Sequence, residues 1–324
     1  MKKIGLLICT VVLAGLLFSG QAFSADRIFF GIATGGTGGT YYPLGGMLAQ
    51  LISNKVNIEN KKLSATAETG NASVANASLL SRKEIESAFV AADILDAAYK
   101  GIKQFEGKDM KNLRALGALY PETVQLVIRA NAGIKTFTDL KGKSISSGSP
   151  GSGQWQLLGD LLESHGMDRK TDIKEDYSSF SQSVEKIKDG NLDASLITAG
   201  TPTASVLELA NYHDIVILPL TGPAIKKLQE VQPYYADAIL PADTYKGQTS
   251  DVKTIAVRAI WATHDGLDDE VAYNVVKALY ENTETLAQVH VKGKEISLEK
   301  ALESVSIPLH PGAERYYREK GLIK

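Results

Sequence analysis

The residues best placed to do chemistry in this chain are glycines, serines and threonines, not thiols or histidines. Two short stretches hold them. "ATGGTGGTYYPLGG", Ala33 to Gly46, puts six of the chain's 29 glycines into 14 residues, and "GSPGSG" runs from Gly148 to Gly153. Each frees backbone N–H groups where a helix is expected to begin, and a helix N-terminus favours an anion. Glycine takes Cβ out of a ligand's path, as at Gly36, Gly38 and Gly153. Thr34, Thr37, Thr40, Ser149 and Ser152 add short hydroxyl donors.

Nucleotide chemistry fails on spacing. A P-loop needs G-x-x-x-x-G-K-[ST], and no lysine follows these glycines. A dinucleotide fingerprint needs G-x-G-x-x-G; Gly36 and Gly38 fit its start, but Tyr41 takes the third place, and Gln156 does so after Gly151 and Gly153. A hydrolase elbow around Ser152 fails because Pro150 stands where its first glycine belongs. The five histidines have no metal-ligand spacing. The sequence is therefore read as a non-enzyme, without metal or cofactor.

Other turn residues belong to the same rim. Glu68 and Asn71 follow one expected strand, Asp93 another, and Thr198 and Thr201 a third. Asp93 suits a helix N-cap as well as a ligand contact. Glu68 could meet a ligand ammonium or simply face water. Tyr41 could wall a cleft. Gln154 and Trp155 open the helix after "GSPGSG", and Trp155 is either a ligand platform or a core anchor.

These turns need elements to hold them. Short apolar runs alternate with helical periodicity: strand 28–33, helix 44–53, strand 63–67, a helix ending at Leu80, strand 88–91, a helix to Tyr99 and strand 113–119. The pattern then restarts with strand 124–128, strand 144–147, "GSPGSG", and a helix whose buried face holds Trp155, Leu158, Leu161 and Leu162. Helix 181–188, strand 194–198, a helix to Ala210 and strand 215–218 complete the second half, and "TIAVRAIWATH" adds a strand before a helix over 268–289. Such alternation predicts an α/β fold with mostly parallel sheets. The surplus strand and helix place 25–121 and 222–324 in one lobe and 122–221 in the other. A hinge is expected at two proline-containing crossovers, Tyr120–Glu122 and Leu220–Pro223. If the lobes face each other, both glycine turns point into one cleft at the carboxyl ends of the strands.

Bulk properties set the compartment. Lys2 and Lys3, the uncharged run Ile4–Phe18 and the small residues to Ser24 read as a signal peptide over 1–24. Cys9, the only cysteine, lies inside it without a lipidation context. The formal charge of −2, or −4 without Lys2 and Lys3, comes with no long basic run, so nucleic acid is a poor partner. A soluble, unlipidated periplasmic monomer is expected.

The motifs "GTGGTYYPLG", "GSPGSG", "LITAGTPT", "LPADTYKGQ" and "IPLHPGAERYYREKG" resemble the TAXI group of TRAP-transporter solute-binding proteins, over about Asp26 to Lys324. The resemblance implies a type II periplasmic-binding-protein fold of two lobes. It implies capture of a small carboxylate solute, often glutamate, glutamine or a related dicarboxylate, and delivery to the membrane subunits of an ion-driven transporter. On this resemblance Thr34–Tyr42, Gly148–Gly153 and the Glu68 segment "ETGNAS" carry the site. Three positions depart from the family pattern: Ala91 replaces a frequent glutamine, and Gln154 and Trp155 replace frequent Thr and Arg. An arginine there would grip a second carboxylate; without it, a monocarboxylate with an apolar or amide end near Trp155 rivals the dicarboxylate. A chemosensory module and a periplasmic enzyme acting on a small acid are the other readings.

Overall fold

The computed structural model describes residues 27–324, so the expected signal peptide and Cys9 lie outside the described residues. Eleven strands form one continuous sheet in the order β2-β3-β1-β4-β11-β5-β8-β6-β7, with β10 on β11 and β9 on β5. The first half holds β1 (Arg27–Ala33), α1 (Tyr41–Lys55), β2 (Asn57–Ile58), β3 (Lys61–Glu68), α2 (Ser73–Ser81), β4 (Ser87–Ala91) and α3 (Ala92–Lys100). Then comes β5 (Leu113–Arg129), followed by β6 (Ser144–Ser146), α4 (Gln154–Ser164), β7 (Lys174–Asp176), α5 (Phe180–Lys188), β8 (Ala194–Ala199), α6 (Ala204–Tyr212) and β9 (Ile215–Leu218). The chain ends through α7 (Pro223–Val231), β10 (Ala236–Leu240), β11 (Val252–His264), α8 (Asp269–Tyr280), α9 (Thr283–Leu286) and α10 (Pro311–Glu319).

The two halves repeat one plan. β1 lies between β3 and β4, all parallel, and β6 lies between β7 and β8, all parallel. Each glycine turn leaves the carboxyl end of such a central strand and opens a helix. Antiparallel pairing by β5 and β11 joins the two parallel sets, so the whole sheet is mixed. Side chains alternate between faces, as period 2 requires. Phe30, Ile32 and Phe89 pack with α1, α8 and α10, while Ala33, Ala88 and Val90 pack toward α2, α3 and the second half. Parallel strands covered on both faces read as apolar runs. Each large side chain buried there, Trp261 and Tyr317 among them, contributes about 1.5–3 kcal/mol.

Several boundaries differ from the sequence expectation. The strands expected at 113–119 and 124–128 are one 17-residue strand, β5, which runs through both halves. Pro121 is tolerated inside it because a bulge separates Pro121, opposite Arg258, from Ala118, opposite Ile260; a bulge accommodates the missing N–H. Pro223 is the first residue of α7 and not a crossover point. Residues 222–251, expected in the first lobe, pack on the second. α7 and α4 share a core and the Tyr245 hydroxyl donates to Gln125 Oε1 at 2.5 Å, while the chain regains the first half through Tyr235, which bonds Asp93, and along β11. The helix expected over 268–289 breaks at Glu281–Asn282 into α8 and α9.

Candidate functional site

The strand ends converge on a cavity of ≈ 190 Å³. From the first half it is lined by Gly35–Tyr41 after β1, Gly70–Ser73 after β3, and Ala91 and Asp93 at the end of β4. From the second half it is lined by Ser149, Ser152–Gln154 and Leu157 after β6, Ser179–Ser181 after β7, and Thr198 and Ala199 at the end of β8. Glu122 and Val257, paired across β5 and β11, and Tyr235 complete the wall. Ligand binding outside the carboxyl ends of strands is the rule for open α/β sheets.

The helix N-termini of α1, α2 and α4 meet this cavity with no acidic residue in their first turns and no side-chain cap. Their dipoles therefore favour negative charge at the cavity, although the Ala75 N–H in the first turn of α2 is taken by the Gly151 carbonyl. Ser152 Oγ, Gln154 Oε1, Thr198 Oγ1 and Asp93 Oδ1 are buried there and make no hydrogen bond within the protein. Native proteins rarely leave such atoms without partners.

Two carboxyls stand in the same wall. The Tyr41 hydroxyl donates to Glu122 Oε2 at 2.8 Å, and the Tyr235 hydroxyl donates to Asp93 Oδ2 at 2.8 Å. Burial pushes the Glu122 carboxyl up to about 8; the Tyr41 bond opposes the rise and the Asp93 carboxylate adds to it. Burial likewise raises Asp93, against the pull of the Tyr235 hydroxyl. The lining contains no lysine, arginine or histidine.

Most of the expected rim is here: Gly36, Thr37, Gly38, Thr40, Tyr41, Asn71, Asp93, Ser149, Ser152, Gly153, Gln154 and Thr198. Asp93 is the second residue of α3, whose N-cap is Ala91, so it is no cap. Four expected residues lie elsewhere. Thr34 is buried and ties β1 to β3, its N–H and Oγ1 both donating to the Glu68 carbonyl at 2.9 and 2.7 Å. Glu68 contributes that carbonyl while its residue is exposed. Thr201 is buried against Thr123, with their hydroxyls 3.5 Å apart. Trp155 is 39% exposed, so it is not a core anchor, and it does not line this cavity; α4 turns it outward, where the Arg169 guanidinium stacks 4.2 Å from its ring.

The sequence reading missed Glu122, Tyr235, Ser73 and Ser179–Ser181. Ser179–Ser181 follow β7 as the Glu68 segment follows β3, so the internal repeat pointed to them. Glu122 was visible as a lone acid inside the apolar run of β5, a pattern that marks function more often than packing.

Bonds also cross between the halves around the cavity. Ser205 N–H donates to the Gly38 carbonyl at 3.1 Å, Ala75 N–H to the Gly151 carbonyl at 3.0 Å, and Thr40 Oγ1 to the Gly200 carbonyl at 2.9 Å. Lys103 pairs with Asp160 at 3.0 Å.

Two repeated α/β halves closed over a cavity at their strand ends define the fold of the periplasmic binding proteins, and solved structures agree. The periplasmic aliphatic sulphonate binding protein SsuA from Escherichia coli superposes with TM-score 0.50 and 16% identity, covering 91% of this chain and 84% of that one. A binding protein component of an ABC phosphonate transporter from Pseudomonas aeruginosa gives 0.51 and 11%, covering 83% and 79%. A structure from work on glutathione import through GshT of Streptococcus mutans gives 0.50 and 14%, covering 84% and 96%. Residues 32–321 match the NMT1-like family, and the chain belongs to it.

Proposed function

We propose that this chain is a periplasmic solute-binding protein that captures a small carboxylate-bearing solute between its halves and passes it on unchanged. The observation that carries the reading is the group of buried, unpartnered polar atoms, Ser152 Oγ, Gln154 Oε1, Thr198 Oγ1 and Asp93 Oδ1, around one cavity between the halves. The uncapped N-termini of α1, α2 and α4 favour an anionic group there. A monocarboxylate fits better than a dicarboxylate or a dianionic phosphonate, because no lining lysine or arginine meets a second negative charge and two acids already stand in the wall. Hinge motion about β5 and β11 would open the cavity, and a solute that contacts both halves shifts the population toward closure. Delivery to the membrane subunits of a TRAP-type secondary transporter rests on the sequence resemblance; a closed surface shared by both halves is what such subunits would recognise.

The test is a thermal-shift screen, since a ligand that binds only the native state raises Tm by mass action. Small organic and amino acids should raise it, and the bound solute should be recovered unchanged by mass spectrometry. Stabilisation by sugars or metal ions alone would overturn the carboxylate reading. Conversion of the solute would overturn the assignment as a non-enzyme.

A further inference from the structure

Granted the solute-binding reading above, an anionic group must enter a cavity whose wall already holds a buried acid. Glu122 reaches the cavity from the middle of β5, opposite Val257 of β11, and is 5% exposed. Its carboxyl accepts a hydrogen bond from the Tyr41 hydroxyl through Oε2. The groups within reach of its charge are Tyr41 on α1, Tyr120 on β5, Asp93 on α3 and Tyr235 just before β10. Burial above all keeps the three tyrosine hydroxyls protonated. No lysine, arginine or histidine lines the cavity among the described residues, and Lys103, whose charge reaches Asp93, is paired with Asp160. A cavity of ≈ 190 Å³ leaves a solute carboxylate no place remote from Glu122. Two carboxyls that share one site do not both stay ionised; one takes a proton. Burial raises both wall acids. For Asp93 the Tyr235 hydroxyl and the Lys103 charge pull back, whereas for Glu122 the Tyr41 hydroxyl alone does so and the Asp93 charge adds to the rise. Glu122 is therefore the acid that takes the proton.

We infer that Glu122 enters the complex as the neutral acid and donates a hydrogen bond to the solute's anionic group, so that capture of the anion takes up one proton from solvent wherever the free carboxyl is ionised. Tyr41 occupies Oε2, which leaves Oε1 to carry the proton. A neutral carboxyl is a donor as well as an acceptor, and a buried acid kept neutral can serve an anion in this way. The bond to an ionised acceptor is of the strong, charge-assisted kind. It meets the anion without a cation, which the wall lacks. The wall's affinity for an anion is then set by pH: high where Glu122 holds its proton, low where it has lost it.

Calorimetric titration at pH 7 and pH 9 tests this, with pyruvate, butyrate, glutaramate and L-glutamine as probes, and with any small acid released from protein purified natively from periplasm. Run in two buffers of different ionisation enthalpy, it counts the protons taken up per solute bound. For an acid that binds, the count should be close to none at pH 7 and close to one at pH 9, and affinity should be about tenfold weaker at pH 9, as a free carboxyl that titrates near 8 requires. Glu122→Gln, whose amide N–H donates without titrating, should bind alike at both pH values; the difference between it and the wild type cancels any titration of the solute itself. Tyr41→Phe removes the hydrogen bond that favours the charged form, so it should move the weakening to higher pH, and it serves if the glutamine variant folds poorly. A flat proton count and affinity in the wild type, the same pH dependence in Glu122→Gln, or loss of binding in that variant when folded overturns the inference and leaves the solute-binding reading standing. No binding by any of these acids, with no small acid released from natively purified protein, overturns both.

Discussion

Glu122 is a single residue whose state is linked to the whole fold's stability. Its carboxyl titrates near 8 in the native protein against an ordinary 4.5, because burial penalises the charge. A raised native value means that the unfolded chain gives up this proton first. Its contribution to stability is therefore full below about pH 4.5 and lost progressively as pH rises toward about 8, a loss on the order of a few kcal/mol. Glu122→Gln should flatten that part of the pH–stability profile in urea denaturation; an unchanged slope would show the carboxyl to be ordinary. Around it, Thr37→Ala with Ser152→Ala should weaken solute binding about tenfold or more without unfolding the chain, at about 1 kcal/mol per lost hydrogen bond. Trp155→Ala, by contrast, should leave affinity unchanged, since the ring lies outside the cavity beneath Arg169. An affinity loss there would return Trp155 to the site.

Elements were legible where periodicity was strong. β1, α2, β4, α5, β8 and β9 sit close to where apolar spacing put them, and the glycine turns stand at the expected strand ends. Two of the departures share a cause: Pro121 and Pro223 look like punctuation in the sequence but sit inside elements. Pro121 lies within β5, made possible by a bulge that depends on the register of β11, a partner far along the chain. Because β5 was divided at Pro121, Glu122 was assigned to a hinge instead of a binding wall. Trp155 departs for a different reason. Its spacing with Leu158 and Leu162 is helical, but the buried stripe of α4 runs through Gln154, Leu157, Leu158, Leu161 and Leu162, and only tertiary contacts choose between adjacent stripes. The continuity of β5 has its own test. A Cβ at Gly117 would collide with the hydroxyls of Tyr280 and Tyr317, so Gly117→Ala should destabilise the protein by about 1–3 kcal/mol, as overpacking does. Thermal melting that shows no loss would mean that α8 and α10 yield easily.

At the scale of the molecule, closure depends on bare backbone meeting backbone. Gly38 faces the second half, where an added Cβ would come 2.5 Å from Ser181 Oγ and 3.2 Å from Ser205 Cβ. Gly38→Val should therefore hold the halves apart. Solute affinity should fall tenfold or more while the unliganded melting temperature stays nearly constant, and small-angle scattering should report a larger radius of gyration in the presence of solute. Wild-type affinity in that variant would show that closure tolerates the side chain. β5 and β11 bear on a different quantity, the cooperativity of unfolding. Neither half can melt alone without tearing a strand that the other half also uses, and one apolar cluster runs from Ala33 and Ile94 to Leu161 and Leu196. Scanning calorimetry should show a single heat-absorption peak whose van't Hoff and calorimetric enthalpies agree. A fragment cut at residue 121 should aggregate, because it leaves β4 and the stub of β5 with the bare edges that invite other chains to pair.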